Sequence, residues 1–108
     1  MVLHLGLLGI FSYGLACALR DVSLRSRAPY GPLVAALATS LGGTALAHQY
    51  AGHLGMIEAF AWMPALLWAL VAVVARPGAG SAAALALAIG LQGLPGHVQT
   101  VFMTGLVA

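Results

Sequence analysis

Apolar residues fall along this chain in long blocks separated by short polar breaks, with no strand-like alternation between them. Three runs, Val2 to Leu19, Gly31 to Ala47 and Met56 to Ala75, are long enough or nearly so to cross a hydrocarbon core about 30 Å thick as helices. A fourth, Ser81 to Leu94, has about 14 residues and yields only about 21 Å of helix at 1.5 Å per residue. Pro95 and Gly96 then interrupt it. Two solutions follow. One is a single kinked helix from Ser81 to Ala108; the other, preferred, is a hairpin with a turn at Pro95 to Gln99 and a fifth helix after it. The pattern therefore predicts helices at about 2–19, 31–47, 56–75, 81–94 and 97–108, an all-α polytopic transmembrane bundle of four to five helices in one region.

Composition sharpens that picture. Apolar residues make up 62% of the chain and charged ones 6%, far less charge than a water-exposed surface ordinarily carries. The formal charge of +2 comes from Arg20, Arg25, Arg27 and Arg76 against Asp21 and Glu58, too sparse for a nucleic-acid groove, so nucleic acid is excluded as a partner and membrane lipid is expected instead. The arginines occupy alternate loops. By the positive-inside pattern this places 20–29 and 76–80 in the cytoplasm, the connection from His48 to Gly55 on the opposite side, and the amino terminus outside. The first run lacks a basic stretch before it and is followed by Arg20, so it reads as a retained helix rather than a cleaved leader. The apolar ends predict an internal piece of a longer protein. Cys17, the single cysteine, supports neither a disulfide nor a thiolate metal cluster.

Polar side chains concentrate in two places. The outer connection reads His48-Gln49-Tyr50-Ala51-Gly52-His53-Leu54-Gly55, with Glu58 expected on the first turn of the next helix. If the hairpin holds, Gly96-His97-Val98-Gln99 turns on the same side, with Gln92 about one turn below. Imidazole, amide and carboxylate groups near lipid are costly unless paired or facing a wet cavity, so His48, His53, Glu58, Gln92, His97 and Gln99 are the candidate substrate-binding set. Each has a plainer alternative. His48 and His53 also fit interfacial loop histidines, and Glu58 a carboxylate at the positive end of a helix dipole. His97 and Gln99 also fit partners for backbone freed at the Pro-Gly break. His4, alone on an apolar helix, reads as structural, and a haem would require it to face His97 at matching depth. The five-residue spacing of His48 and His53 resembles no strong zinc motif; no cofactor is identifiable, and a divalent metal is left open. Phosphate loops, serine elbows and zincin motifs are absent from the sequence.

Taken in order, Gly52-His53-Leu54-Gly55, Ala61-Trp62-Met63-Pro64 and Leu91-Gln92-Gly93-Leu94-Pro95-Gly96-His97-Val98-Gln99-Thr100 resemble the YfhO family of bacterial membrane proteins. In that family a Gly-His loop precedes an aromatic-x-Pro helix, and a Gly-His-Pro-Gln-Thr turn comes one hairpin later. Val98 stands here where the family usually has proline, and Pro95 lies before the glycine, so a differently shaped turn is expected. The resemblance implies a multi-pass protein of the bacterial cell envelope, similar to glycosyltransferases of the C superfamily. Such enzymes take a polyprenyl-phosphate-linked sugar and transfer it on the outer face of the membrane. Their acidic catalytic residue precedes the segment matched here, so neither Asp21 nor Glu58 inherits that role. A transporter or flippase, or a non-catalytic assembly subunit, remains open on the same residues.

Overall fold

The computed structural model describes residues 2–22 and 28–108; Arg25 and Arg27 lie outside them. Among the described residues the chain is helical throughout: α1 (Val2–Val22), α2 (Gly31–Leu41), α3 (Gly43–Tyr50), α4 (Leu54–Ala75), α5 (Ala79–Gly93) and α6 (Val98–Val107). Two of them, α1 and α4, are long and apolar enough to cross a membrane. At 1.5 Å per residue the 22 residues of α4 measure about 33 Å.

The segment expected as one helix over 31–47 is two. Gly42 is extended, at φ −65° and ψ 153°, and separates α2 from α3. Before the break, the Ser40 hydroxyl donates to the Ala36 carbonyl at 2.7 Å and the Thr39 hydroxyl to Ala35 at 2.9 Å, bonds that bend a helix end. A Cβ at residue 42 would overlap the Ala38 carbonyl oxygen, so glycine is required for the chain to turn so closely.

Helix α4 is the centre of the bundle. It packs against α1 and α5 along its length, and α3 and α6 meet it as well, whereas α2 packs on α1 and α3 and does not reach it. Apart from Glu58 its sequence is apolar all round, the pattern of a buried helix. Ala59 and Ala61 are fully buried, and such small residues let neighbouring helices approach closely. Because α2 stops short of α4, an apolar crevice of about 290 Å³ remains between them, with Ser12 of α1 among its lining residues.

Helix α1 runs parallel to α4. His4 faces Glu58 at one end, the Phe11 and Trp62 rings lie 5.2 Å apart further along, Gly14 abuts Trp68, and Asp21 and Arg76 line one cleft at the far end. The two helices therefore stay in step from end to end. Arg76 and Pro77 reverse the chain into α5, which returns beside α4.

Candidate functional site

Two junctions share one backbone design. Gly52, between α3 and α4, has φ +75°, and Gly96, between α5 and α6, has φ +73°; among the described residues no others lie in the left-handed region. Each glycine is followed by a histidine, His53 at φ −80°, ψ 60° and His97 at φ −86°, ψ 78°. Those angles belong to the inverse γ-turn, and its three-residue hydrogen bond is present in both. The Leu54 amide donates to the Gly52 carbonyl at 2.9 Å, and the Val98 amide to the Gly96 carbonyl at 3.1 Å. Each histidine then stands at the N-cap of the helix it opens. Left-handed backbone costs a side-chain-bearing residue energy that glycine does not incur, which explains why glycine precedes each histidine.

These two Gly-His elbows lie together. A Cβ placed on Gly55 would be 3.3 Å from the Pro95 carbonyl oxygen, so the start of α4 touches the turn that begins α6. The chain folds back after Pro95: the Gln92 side-chain amide donates to the Thr104 hydroxyl at 2.7 Å, twelve positions along. A continuous helix would place those residues about 18 Å apart at 1.5 Å per residue, which excludes the single kinked helix. The hairpin is therefore the form observed, although its helices run over Ala79–Gly93 and Val98–Val107.

The six candidate residues fall into distinct settings. The His48 and His53 rings lie 5.7 Å apart at 30°, with His53 exposed and His48 lining a small apolar recess beside Leu8 and Phe60. His97 turns its ring back onto α6. Its Nδ1 accepts from the Thr100 amide at 3.4 Å and lies 2.7 Å from the Thr100 hydroxyl. An Nδ1 that accepts from an amide leaves the ring proton on Nε2 as the remaining donor. Gln99 is exposed on the first turn of α6.

Gln92 is 0% exposed, and so is Thr104, whose hydroxyl passes the bond on to the Thr100 carbonyl at 2.9 Å. The Gln92 carbonyl oxygen has no partner.

Glu58 is not where the sequence places it. Helix α4 opens at Leu54 rather than Met56, so Glu58 falls beyond the first turn, away from the dipole position expected for it. It faces α1 instead, with its Oε1 4.0 Å from His4 Nδ1. His4 thus has a carboxylate beside it and is not alone on an apolar face. Periodicity offered no signal for this pair, because the apolar residues around α4 do not show which of its faces meets α1.

Histidines and arginines separate along the bundle. His4, His48, His53 and His97 gather at the end with the elbows, while Arg20 and Arg76 lie at the other. There Arg20 Nη2 sits 3.4 Å from Asp21 Oδ1, an exposed pair. Among the described residues no group of three or more His, Cys, Asp or Glu side chains could hold a metal ion. No family model matches this chain, and neither does any curated protein or solved structure.

Proposed function

We propose that the helices form a multi-pass bundle in a bacterial cell membrane and that its elbow end binds a polyprenyl-phosphate-linked sugar on the outer face. The chain would act as part of a glycosyltransferase-like protein. The observation that carries this reading is the pair of Gly-His elbows set side by side, which brings two helix N-termini to one place. The Leu54, Val98 and Thr100 amides are already bonded, but the remaining first-turn amides and the positive end of each helix dipole favour phosphate at such an end. The rings of His48 and His53 and the amide of Gln99 add hydrogen-bond donors around it. Gln92 acts from beneath by holding α6 in its return, and Glu58 with His4 forms the rim toward α1. The apolar length of α1 and α4 and the placement of arginine at the opposite end support the orientation.

The test is binding of a short-chain polyprenyl phosphate to the full chain in lipid nanodiscs. His53→Ala and Gln99→Ala each weaken it about tenfold, the effect of losing one hydrogen bond to a charged group. Unchanged affinity in both variants overturns the reading. In a full-length parent protein, the same substitutions lower sugar transfer at unchanged abundance.

A transporter or flippase is the second reading, favoured by the broken helix at Pro95–Gly96 and the buried Gln92, Thr100 and Thr104 beneath it. Movement of labelled lipid across a vesicle membrane, without sugar transfer, selects it. A non-catalytic assembly subunit, in which these polar groups only knit helices together, predicts neither activity.

A further inference from the structure

The arginine end carries a second feature, unrelated to the elbows. A cleft of about 660 Å³ opens between α1 and α4, within the roughly 300–1,000 Å³ range of small-molecule sites. Its walls are kept low by Gly14, Cys17 and Ala72, and Trp68 lies across it over Gly14. A second cleft, of about 470 Å³ between α1, α4 and α5, shares Trp68 and Ala72 with the first. The two clefts are separate and meet at Trp68 and Ala72, and their lining residues on α4 run from Arg76 to Trp62, about 21 Å at 1.5 Å per residue. That exceeds half of a hydrocarbon core about 30 Å thick, and so the depth of one leaflet.

Charge marks one end of this track. Arg76 and Asp21 both line the first cleft, and both are exposed at the same level of the bundle. Among the described residues Arg76 has no ion-pair partner, and Asp21 is held only by Arg20 at 3.4 Å. A guanidinium and a carboxylate that line one largely apolar cleft without pairing with each other suit a head group that carries both a phosphate and an ammonium. Arginine fits the phosphate, and the carboxylate fits the amine.

We infer that this cleft seats one ethanolamine phospholipid of the cytoplasmic leaflet, its phosphate at Arg76, its ammonium at Asp21 and one acyl chain along Gly14, Trp68 and Ala72. The inference rests on the membrane reading above but not on the polyprenyl ligand at the other end. A purely anionic lipid gains nothing from Asp21 and is repelled by it. A second copy of the chain would fill the apolar track but leave Arg76 without a partner.

Native mass spectrometry of the full chain, extracted in mild detergent and supplied with phosphatidylethanolamine or phosphatidylglycerol, tests it. The expected result is one retained phosphatidylethanolamine per chain in preference to phosphatidylglycerol. Arg76→Gln lowers its retention roughly fivefold, about the effect of one surface guanidinium on a lipid head group. Asp21→Asn abolishes the preference between the two lipids. Ala72→Trp, which fills the track without touching either charge, also displaces the lipid. Equal retention of the two lipids by the unsubstituted chain, or a lipid-free dimer, overturns the inference. Release of the chain from membranes by alkaline carbonate overturns the membrane reading itself. A chain that stays in the membrane but retains no lipid overturns only the lipid site.

Discussion

Gly14 and Trp68 occupy adjoining space so tightly that a Cβ on Gly14 would stand 2.5 Å from the Trp68 ring. This contact fixes the spacing of α1 and α4 midway along their parallel run, where the two helices carry most of the bundle's shared core.

Gly14→Ala is expected to destabilise the fold by about 1–3 kcal/mol, because the ring or the helix must shift to admit one methyl group. Thermal unfolding in detergent measures it. Trp68→Phe removes part of the overlapping ring and recovers part of the loss in the double variant. Equal stability of Gly14→Ala and the parent would show that the helices do not meet through this contact.

The buried bond between Gln92 and Thr104 holds the α5–α6 return. Thr104→Val keeps the shape but leaves the Gln92 amide without its partner, at a cost of about 1–2 kcal/mol. Gln92→Leu combined with Thr104→Val restores most of that stability, since neither side then buries an unpaired polar group. A double-mutant cycle with no coupling would remove the bond from the account.

Glycines divide by backbone. Gly52 and Gly96 have positive φ, so alanine at either position costs about 1–2 kcal/mol even though space is open around both. Asparagine, which tolerates the left-handed region better, costs less. Gly90, inside α5 and equally open, responds in the opposite direction: Gly90→Ala stabilises by about 0.5–1 kcal/mol. Chemical or thermal denaturation of the three alanine variants gives the signs directly.

Orientation follows from the two ends of the bundle. In a Cys17→Ala background, a cysteine at Gly52 reacts with an impermeant reagent from outside intact cells, and one at Arg76 reacts only after permeabilisation. Labelling of residue 52 from the cytoplasmic side alone would invert the bundle and place the elbows away from any outer-face substrate.

His97 separates folding from binding. As the N-cap whose Nδ1 accepts from the Thr100 amide, it is expected to cost about 1 kcal/mol of stability when replaced by alanine, and His97→Asn to recover most of it. If His97→Asn is as stable as the parent yet weakens polyprenyl phosphate binding, the ring contributes beyond capping; if binding returns with stability, capping is its whole role.

The elements themselves were legible in the order of residues. Apolar runs bounded by Arg20, Pro29, Arg76 and the Pro95-Gly96 pair mark where helices start and stop, because proline and glycine break the backbone pattern and charge resists burial. The return after Pro95 was legible for the same reason: about 14 residues make too short a crossing, and the break demands a turn. The grouping of His53 and His97 followed from that hairpin.

Tertiary structure decided what each side chain meets. A helix with apolar residues all round gives no periodic signal for which face turns inward, so the sequence could not show that Glu58 faces His4 or that Gln92 reaches Thr104. Nor could it show that Gly42 divides one apolar run in two, since an extended glycine there depends on the close approach of the Ala38 carbonyl. Sequence determined where most of the helices start and stop and that the last two form a hairpin, because those depend on length and local breaks; it predicts five helices where six are described. Rotation and register depend on which small residue lies opposite which large one, as Gly14 lies opposite Trp68, and that is settled only when the helices pack.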